Sequence, residues 1–166
     1  QVAAYGERRM RAALADLPDG RWDFTDVLDS TGPRPNQPAA ATICLVVTID
    51  GDEITFDFTG TDDQRWGNMN AVEAVTLSAV AFALRSAVVP DLEGVGGSMR
   101  PVTVIAPEGT IVAARPPVAV GAGNVEVSQR IADVCLGALA QVVPDRVAAA
   151  SQGTMNNVLI GGDGWV

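Results

Sequence analysis

The sequence contains neither histidine nor lysine, and these two absences exclude several catalytic classes. All 11 basic residues are arginine. Without histidine the chain cannot form a Ser-His-Asp triad, a Cys-His pair or a histidine-containing zinc site. Without lysine it can supply neither the lysine of a P-loop nor a Schiff-base nucleophile. These mechanisms are therefore excluded within the 166 residues.

Cysteine, positive charge and long apolar runs are also scarce. Cys44 and Cys135 both lie in apolar runs, which predicts buried free thiols and a reducing, cytoplasmic compartment. The net charge, 11 minus 20, is −9, which makes nucleic acid and anionic membranes unfavourable partners. The longest uncharged apolar helical run covers residues 74–84, whereas a membrane span needs about 20 residues.

The overall composition, with 48% apolar and 19% charged residues, is that of a globular domain. Hydrophobic spacing predicts an N-terminal helix over residues 3–17 and two long, buried apolar helices. It also predicts short strands, two of them joined by the turn 50–53. We therefore expect an α+β fold with a mixed, largely antiparallel sheet of hairpins. The two apolar helices are predicted at residues 70–89 and 124–143. The predicted strands are 22–28, 42–49, 54–58, 102–106, 110–114, 118–120 and 158–160.

The stretch "GAGNVEVSQR" (121–130) lies between a predicted strand and a predicted helix, as a dinucleotide-binding loop would. Gly121 and Gly123 match the first two glycines of that motif, but Glu126 occupies the third position. A carboxylate in the first helical turn would compete with phosphate for the positive end of the helix. The pattern instead favours a helix start that Asn124 caps, with Glu126 and Arg130 as an i, i+4 ion pair.

Uncharged polar residues concentrate in three loops, at 67–70, at the helix start just described, and at 151–157. Asparagine, glutamine and hydroxyl side chains can orient a substrate carbonyl or carboxylate. One hypothesis is that the loops share a polar pocket; the alternative is that they are independent caps and turns, with Asn70 and Glu73 as a reciprocal cap. The loop candidates for substrate binding are Asn68, Asn70, Asn124, Gln129, Ser151, Gln152, Asn156 and Asn157, and Glu126 and Arg130 are candidates for catalysis.

Three further candidates lie outside these loops. Asp57 falls late in a predicted strand, and by alternation its side chain faces away from those of its aromatic neighbours. It is therefore either solvent-exposed or a catalytic base at the end of the strand. Thr59, two residues later, is a candidate for substrate binding. Arg100 precedes a proline and is either a surface ion-pair partner or a bidentate anchor for a carboxylate.

Six ordered strings closely resemble the hydantoinase B/5-oxoprolinase family, whose relatives include a subunit of acetone carboxylases. They cover most of the chain. The strings are "YGERRMRAALADLPDG" (5–20), "VTIDGDEITFDFTGT" (47–61), "GNMNAVEAVTLSAVAFALR" (67–85), "RPVTVIAPEGT" (100–110), "RPPVAVGAGNVEVSQRIADVCLGALAQVVPDRV" (115–147) and "ASQGTMNN" (150–157).

The resemblance implies that residues 1–166 form one domain, the central segment of a longer B-type subunit. It implies cytoplasmic, ATP-dependent hydrolysis of a cyclic amide such as 5-oxoproline or a hydantoin. An A-type subunit would bind ATP and activate the amide oxygen, and any divalent metal would bind in another part of the full enzyme, with no metal ligand in this segment. Ser98 stands where relatives often have cysteine.

The resemblance also implies roles for the candidate residues. Asparagine and glutamine would hydrogen-bond the ring amide, Arg100 or Arg130 would bind a carboxylate, and Asp57 or Glu126 would orient water. Two alternatives remain open. The segment could be structural and contact the A-type partner, or the full protein could activate a ketone as acetone carboxylases do. The isolated segment is expected to be inactive.

Overall fold

The computed structural model describes residues 2–32, 39–92 and 97–154. Four strands form one sheet: β1 (Gly20–Leu28), β2 (Ala41–Asp50), β3 (Glu53–Asp57) and β4 (Val102–Ile105). The helices are α1 (Val2–Ala15), α2 (Glu73–Ala87) and α3 (Ser128–Ala140), and a π-helical turn, Gly123–Val127, leads into α3. A short 3₁₀ turn, Pro144–Arg146, follows. The mixed α+β fold is confirmed.

The sheet has the order β1-β2-β3-β4, with β1 at one edge. β1 pairs with β2, and β2 with β3, in antiparallel register. Every second residue of β2, from Ala41 to Ile49, is buried, which marks the inner face of the sheet. Because cross-strand partners share a face, Trp22, Phe24 and Asp26 of β1 also lie on the inner face. The predicted strand 22–28 and the predicted hairpin of β2 and β3 are confirmed.

β4 pairs with β3 in parallel, and α2 lies between them in the chain. A parallel pair requires a crossover, which α2 supplies. The predicted strand 110–114 does not form, apart from an isolated bridge between Thr110 and Asp63. The predicted strand 118–120 is also wrong, because this segment runs as an irregular link. The predicted strand 158–160 lies outside the described residues.

The hydrophobic core lies between the inner face of the sheet and the helices. α3 packs on β1 and β2 and contacts α2 on its other side, while α1 contacts β3. α2 is buried along one face only, because Phe82 is 57% exposed and Leu77 is 40% exposed. This differs from the expectation that α2 is covered on most of its circumference. Among the described residues, no helix is long and apolar enough to cross a membrane.

Candidate functional site

A cleft of about 430 Å³ opens where the end of β1 meets the start of α3. We call it the α3 cleft. Of the three predicted polar loops, the one at the start of α3 and the one that begins at residue 151 meet at this cleft, and the loop at 67–70 contributes Met69. The side chains around it include two carboxylates, a guanidinium, an amide and two hydroxyls, which is the composition of a polar binding site. The α3 cleft is lined by Leu28, Asp29, Ser30, Met69, Glu126, Arg130, Gln152, Gly153 and Thr154.

Glu126 reaches this cleft from the π-helical turn that precedes α3. Single π turns widen the helix locally and recur at functional sites. Gly123 opens the turn against the backbone of residues 70 and 71, where an added Cβ would lie 2.4 Å from the carbonyl oxygen of Asn70. Only glycine fits this contact without displacing the backbone. The Thr154 hydroxyl donates a hydrogen bond of 2.5 Å to Glu126 Oε1, so Glu126 joins the first turn of the helix to the loop at 151–154.

Arg130 lies one turn further along, held between two aspartates. Its Nη1 donates a hydrogen bond of 2.5 Å to Asp26 Oδ2 on β1 and lies 3.9 Å from Asp133 Oδ2. The side chain is only 20% exposed. Its orientation is therefore set by two carboxylates that come from different elements.

Gly153 packs against the guanidinium of Arg130, and both residues line the cleft. A Cβ at this position would lie 2.7 Å from Arg130 Nη2 and 3.0 Å from Asp133 Oδ2. Gly153 also has φ +75°, a backbone conformation that disfavours other residues. The loop can approach Arg130 this closely because it has glycine here.

Asp133 is the most enclosed carboxylate of the cluster. Burial raises the pKa of its carboxyl group, and the charge of Asp26 adds to the rise, while Arg130 and a hydrogen bond from Ser151 oppose it. The Ser151 hydroxyl lies 3.4 Å from Asp133 Oδ1 and also accepts a hydrogen bond from the Gly153 N–H. Ser151 therefore connects the loop to Asp133 of α3.

Asn70 organises the loop that brings Met69 to the cleft. Its Oδ1 accepts a hydrogen bond of 2.6 Å from the Arg65 N–H. Its Nδ2 lies within 2.9 Å of three backbone carbonyls, those of Arg65, Gly67 and Ala119. The amide is fully buried and ties residues 65–70 to the segment before α3. Asn70 is thus part of the structure beneath the cleft and does not line it.

The model of the hydantoinase B/oxoprolinase family matches residues 1–165. The chain belongs to this family. The match covers nearly every residue, so it includes both the loops of the α3 cleft and the elements that support them.

Two curated relatives carry informative names. 5-Oxoprolinase 1 of Arabidopsis thaliana is 43% identical over 123 residues, which are 73% of this chain and 9% of the relative. A putative B-type D-/L-hydantoinase subunit from a Pseudomonas species is 33% identical over 164 residues, which are 90% of this chain and 26% of the relative. This member of the hydantoinase B/oxoprolinase family thus spans a small part of the proteins it matches.

Two solved structures share the fold. The ATP-dependent caprolactamase of Pseudomonas jessenii superposes with a TM-score of 0.74 at 26% identity, over 87% of this chain and 24% of the other. The nucleotide-free acetone carboxylase superposes with a TM-score of 0.68 at 14% identity, over 87% of this chain and 20% of the other. At that identity the second likeness shows the fold alone.

In this hydantoinase B/oxoprolinase chain, the structure brings some of the predicted site residues together. Glu126, Arg130 and Gln152 line the α3 cleft, and Ser151, which precedes Gln152, contacts Asp133. Asn124 and Gln129 face a different groove of about 470 Å³, between α2 and α3. Asn68 is exposed, and its carbonyl accepts a hydrogen bond from the Ala122 N–H.

The remaining predicted site residues lie elsewhere. Asp57 is on the outer face of the sheet, where its Oδ1 accepts a hydrogen bond from the exposed Thr59. Arg100 pairs with Glu7 of α1 on the surface. Asn156 and Asn157 lie outside the described residues. The structure therefore does not place Asp57, Thr59 and Arg100 with Glu126.

Two local predictions about the α3 start are wrong. Asn124 does not cap the helix, because the π turn begins at Gly123 and has no side-chain cap. Glu126 does not pair with Arg130, which forms ion pairs with Asp26 and Asp133 among the described residues. Likewise, α2 has no side-chain cap, so Asn70 and Glu73 do not form the predicted reciprocal cap.

The candidate residues chosen from the sequence did not include Asp26, Asp133 or Thr154. A signal for Asp26 was present, because it alternates with Trp22, Phe24 and Leu28 and so lies on the inner face of β1. A carboxylate on an apolar face requires a partner, and Arg130 is that partner. Thr154 carried no such signal, since its role depends on the path of the loop. The described residues contain no group of three or more cysteine, aspartate or glutamate side chains placed to hold a metal ion.

Proposed function

We propose that this chain is a segment of an ATP-dependent hydrolase of cyclic amides and that the α3 cleft forms part of its substrate pocket. The family supports the reaction class, since its model and its plant relative carry oxoprolinase names. The solved caprolactamase, whose name also denotes ATP-dependent opening of a cyclic amide, supports it too. The observation that carries the proposal is the meeting of Glu126, Thr154 and Gln152 in one cleft.

These three side chains complement the two polar groups of a ring amide. A carboxylate accepts hydrogen bonds, as the amide N–H requires, and the carboxamide of Gln152 can donate one to the carbonyl oxygen, while the hydroxyl proton of Thr154 is donated to Glu126. A carboxylate can also orient a water molecule for attack on the carbonyl carbon. In this proposal Glu126 does both, and Thr154 holds it in position through the 2.5 Å hydrogen bond. Met69 supplies an apolar wall for the ring.

ATP would be bound by an A-type partner in the cytoplasm, in keeping with the free thiols of Cys44 and Cys135. The α3 cleft does not fit a polyphosphate, because its described lining has one arginine, whereas Asp29 and Glu126 line it and Asp26 and Asp133 flank that arginine. When bound on the partner, ATP would supply the phosphoryl group that activates the amide oxygen. The residues of this segment then bind the ring and orient water.

The test uses the full-length protein with its A-type subunit, assayed for ring opening of 5-oxoproline and caprolactam with and without ATP. Glu126→Gln keeps the size of the side chain but removes its charge, and we expect kcat/KM to fall at least tenfold. Glu108→Gln is the matched control, because Glu108 lies in the exposed turn after β4 and does not line the cleft. Circular dichroism and melting temperature establish that both variants fold.

Equal turnover by Glu126→Gln and the wild type would sink the pocket assignment. The structural alternative, in which this segment supports a site made by other parts of the full protein, would then replace it. The ketone-activating alternative draws on the likeness to acetone carboxylase, which shows only the fold, so no observation favours it over amide hydrolysis.

A further inference from the structure

The cleft's only positively charged lining residue among the described ones is Arg130. A guanidinium anchors a carboxylate best when two adjacent N–H groups point at it together. Arg130 Nη1 is instead directed to Asp26 and lies near Asp133. Gly153 packs against Nη2, close enough that even a methyl group there would clash. Both terminal nitrogens of Arg130 are therefore next to groups of the protein itself, Nη1 beside two carboxylates and Nη2 beside Gly153.

The charges around the cleft do not favour an anion either. Asp29 and Glu126 line it, and Asp26 and Asp133 flank its arginine. The formal sum is one positive and four negative charges, or −3. Burial raises the pKa of Asp133, but even with that carboxyl group protonated the sum is −2. The net charge of the whole sequence, −9, has the same sign, so an incoming carboxylate would meet repulsion both at long range and at the wall.

We propose that the α3 cleft selects cyclic amides that carry no negative charge, and that Asp26 and Asp133 impose this selection by occupying Arg130. This inference rests on the proposed function and names the substrate class of that same site. Asp26 and Asp133 are specificity-determining residues that act through Arg130, and neither needs to touch the ring. The role of carboxylate anchor that sequence reasoning offered for Arg130 is thereby replaced.

The experiment compares 5-oxoproline with 5-oxoprolinamide on the full-length protein with its A-type subunit and ATP. The two compounds share ring and size, and at neutral pH only the first carries a negative charge. We expect kcat/KM for the amide to exceed that for the acid at least tenfold in the wild type. In Asp26→Asn and in Asp133→Asn, which remove one negative charge each, the ratio should fall at least fivefold.

Asp50→Asn is the matched control, because Asp50 lies exposed at the end of β2, in the β2–β3 turn, and does not line the cleft. Its ratio should equal that of the wild type. Having two aspartate variants keeps the test sound if one of them folds poorly. A purely structural role for Asp26 would lower both values of kcat/KM together and leave their ratio unchanged, which would overturn the proposal.

The failure of this inference and the failure of the proposed function give different results. Preference for the acid, with Glu126→Gln still impaired, overturns the charge selection and leaves the pocket in place. If turnover is independent of Glu126, the pocket assignment fails, and equilibrium binding of both compounds by calorimetry then decides the inference. Tighter binding of the amide supports the charge selection. Tighter binding of the acid, or equal binding of the two compounds, overturns it.

Discussion

Arg130 and Arg100 are chemically identical side chains in ion pairs, yet the structure places them in contrasting environments. Arg100 is 58% exposed and donates a hydrogen bond of 2.8 Å to Glu7 across the surface between β4 and α1. Arg130 is largely buried between β1, α3 and the loop at 151–154, with two aspartates around it. Both were expected to be able to anchor a carboxylate, and Arg130, not Arg100, is among the residues that line the α3 cleft.

Burial decides how much each of these two ion pairs contributes to stability. An exposed pair is screened by water and contributes little to stability. A buried cation that loses its partner is left without compensation, and that loss is costly. The Arg130 cluster should therefore be sensitive to single changes, and the Arg100 pair should tolerate them.

The largest effect is expected from Gly153→Ala. The new methyl group would have to displace Arg130, and alanine would also have to adopt φ +75°. We expect the free energy of unfolding to fall by about 3 kcal/mol, from backbone strain together with overpacking. Gly109→Ala is the control, since Gly109 has φ +86° but no atom within 4 Å of the added Cβ. It should lose only about 1 kcal/mol from strain.

Urea denaturation of both variants measures this difference. Equal losses in the two variants would mean that Gly153 does not press on Arg130, and the account of a covered guanidinium would be wrong.

The next effect is expected from removing one acidic partner at each arginine. Asp26→Ala leaves Arg130 with only the more distant Asp133, and we expect a loss of about 2 kcal/mol in the free energy of unfolding. Glu7→Ala should cost distinctly less, because Arg100, which loses this partner, is 58% exposed and Arg11 keeps Asp52 and Glu53. Chemical denaturation at two salt concentrations sharpens the contrast, because salt screens the exposed Arg100 far more than the largely buried Arg130. A larger loss in Glu7→Ala than in Asp26→Ala would reverse the comparison.

Much of the fold could be predicted from the sequence because its signals are local. The alternation in β2, the turn at 50–53 and the helical spacing of Met10 and Leu14 each specify an element without reference to the rest of the chain. β4 shows the limit of this reasoning. Its apolar run predicts a strand, but its parallel pairing with β3 depends on how α2 crosses between them, which no local pattern reveals.

The candidate site could be predicted only in part, and for the same reason. Glu126 and Arg130 were expected near one another, and both do line the cleft. The predicted pair between them assumed ordinary α-helical geometry, whereas the π turn changes the spacing of the first turn. Asp26 is 104 residues from Arg130 in sequence. A contact at that separation follows from the packing of α3 on β1 and from no motif.

The smallest expected effect concerns the pKa values of two carboxyl groups. The hydrogen bond from Arg100 is the main cause that holds the pKa of Glu7 below its ordinary value, with a smaller contribution from Arg11. Burial is the main cause that raises the pKa of Asp133. Carboxyl titration by NMR should therefore find Glu7 below and Asp133 above the ordinary range. Arg100→Ala should raise the pKa of Glu7 by more than Arg11→Ala does.

The two shifts have opposite consequences for stability. A lowered pKa in the folded state means that the charged form of Glu7 stabilises the protein above its unfolded pKa, and this contribution is lost as the pH falls through the folded value. A raised pKa means that the charged form of Asp133 opposes folding at neutral pH, and this cost disappears as the pH falls. In Arg100→Ala, the free energy of unfolding should fall less as the pH is lowered, because the pKa of Glu7 no longer lies as far below its unfolded value. In Asp133→Asn, the cost of the buried charge at neutral pH is removed, together with the contact between this charge and Arg130. Shifts of the same sign at both carboxyl groups would contradict the contrast between the buried and the exposed arginine.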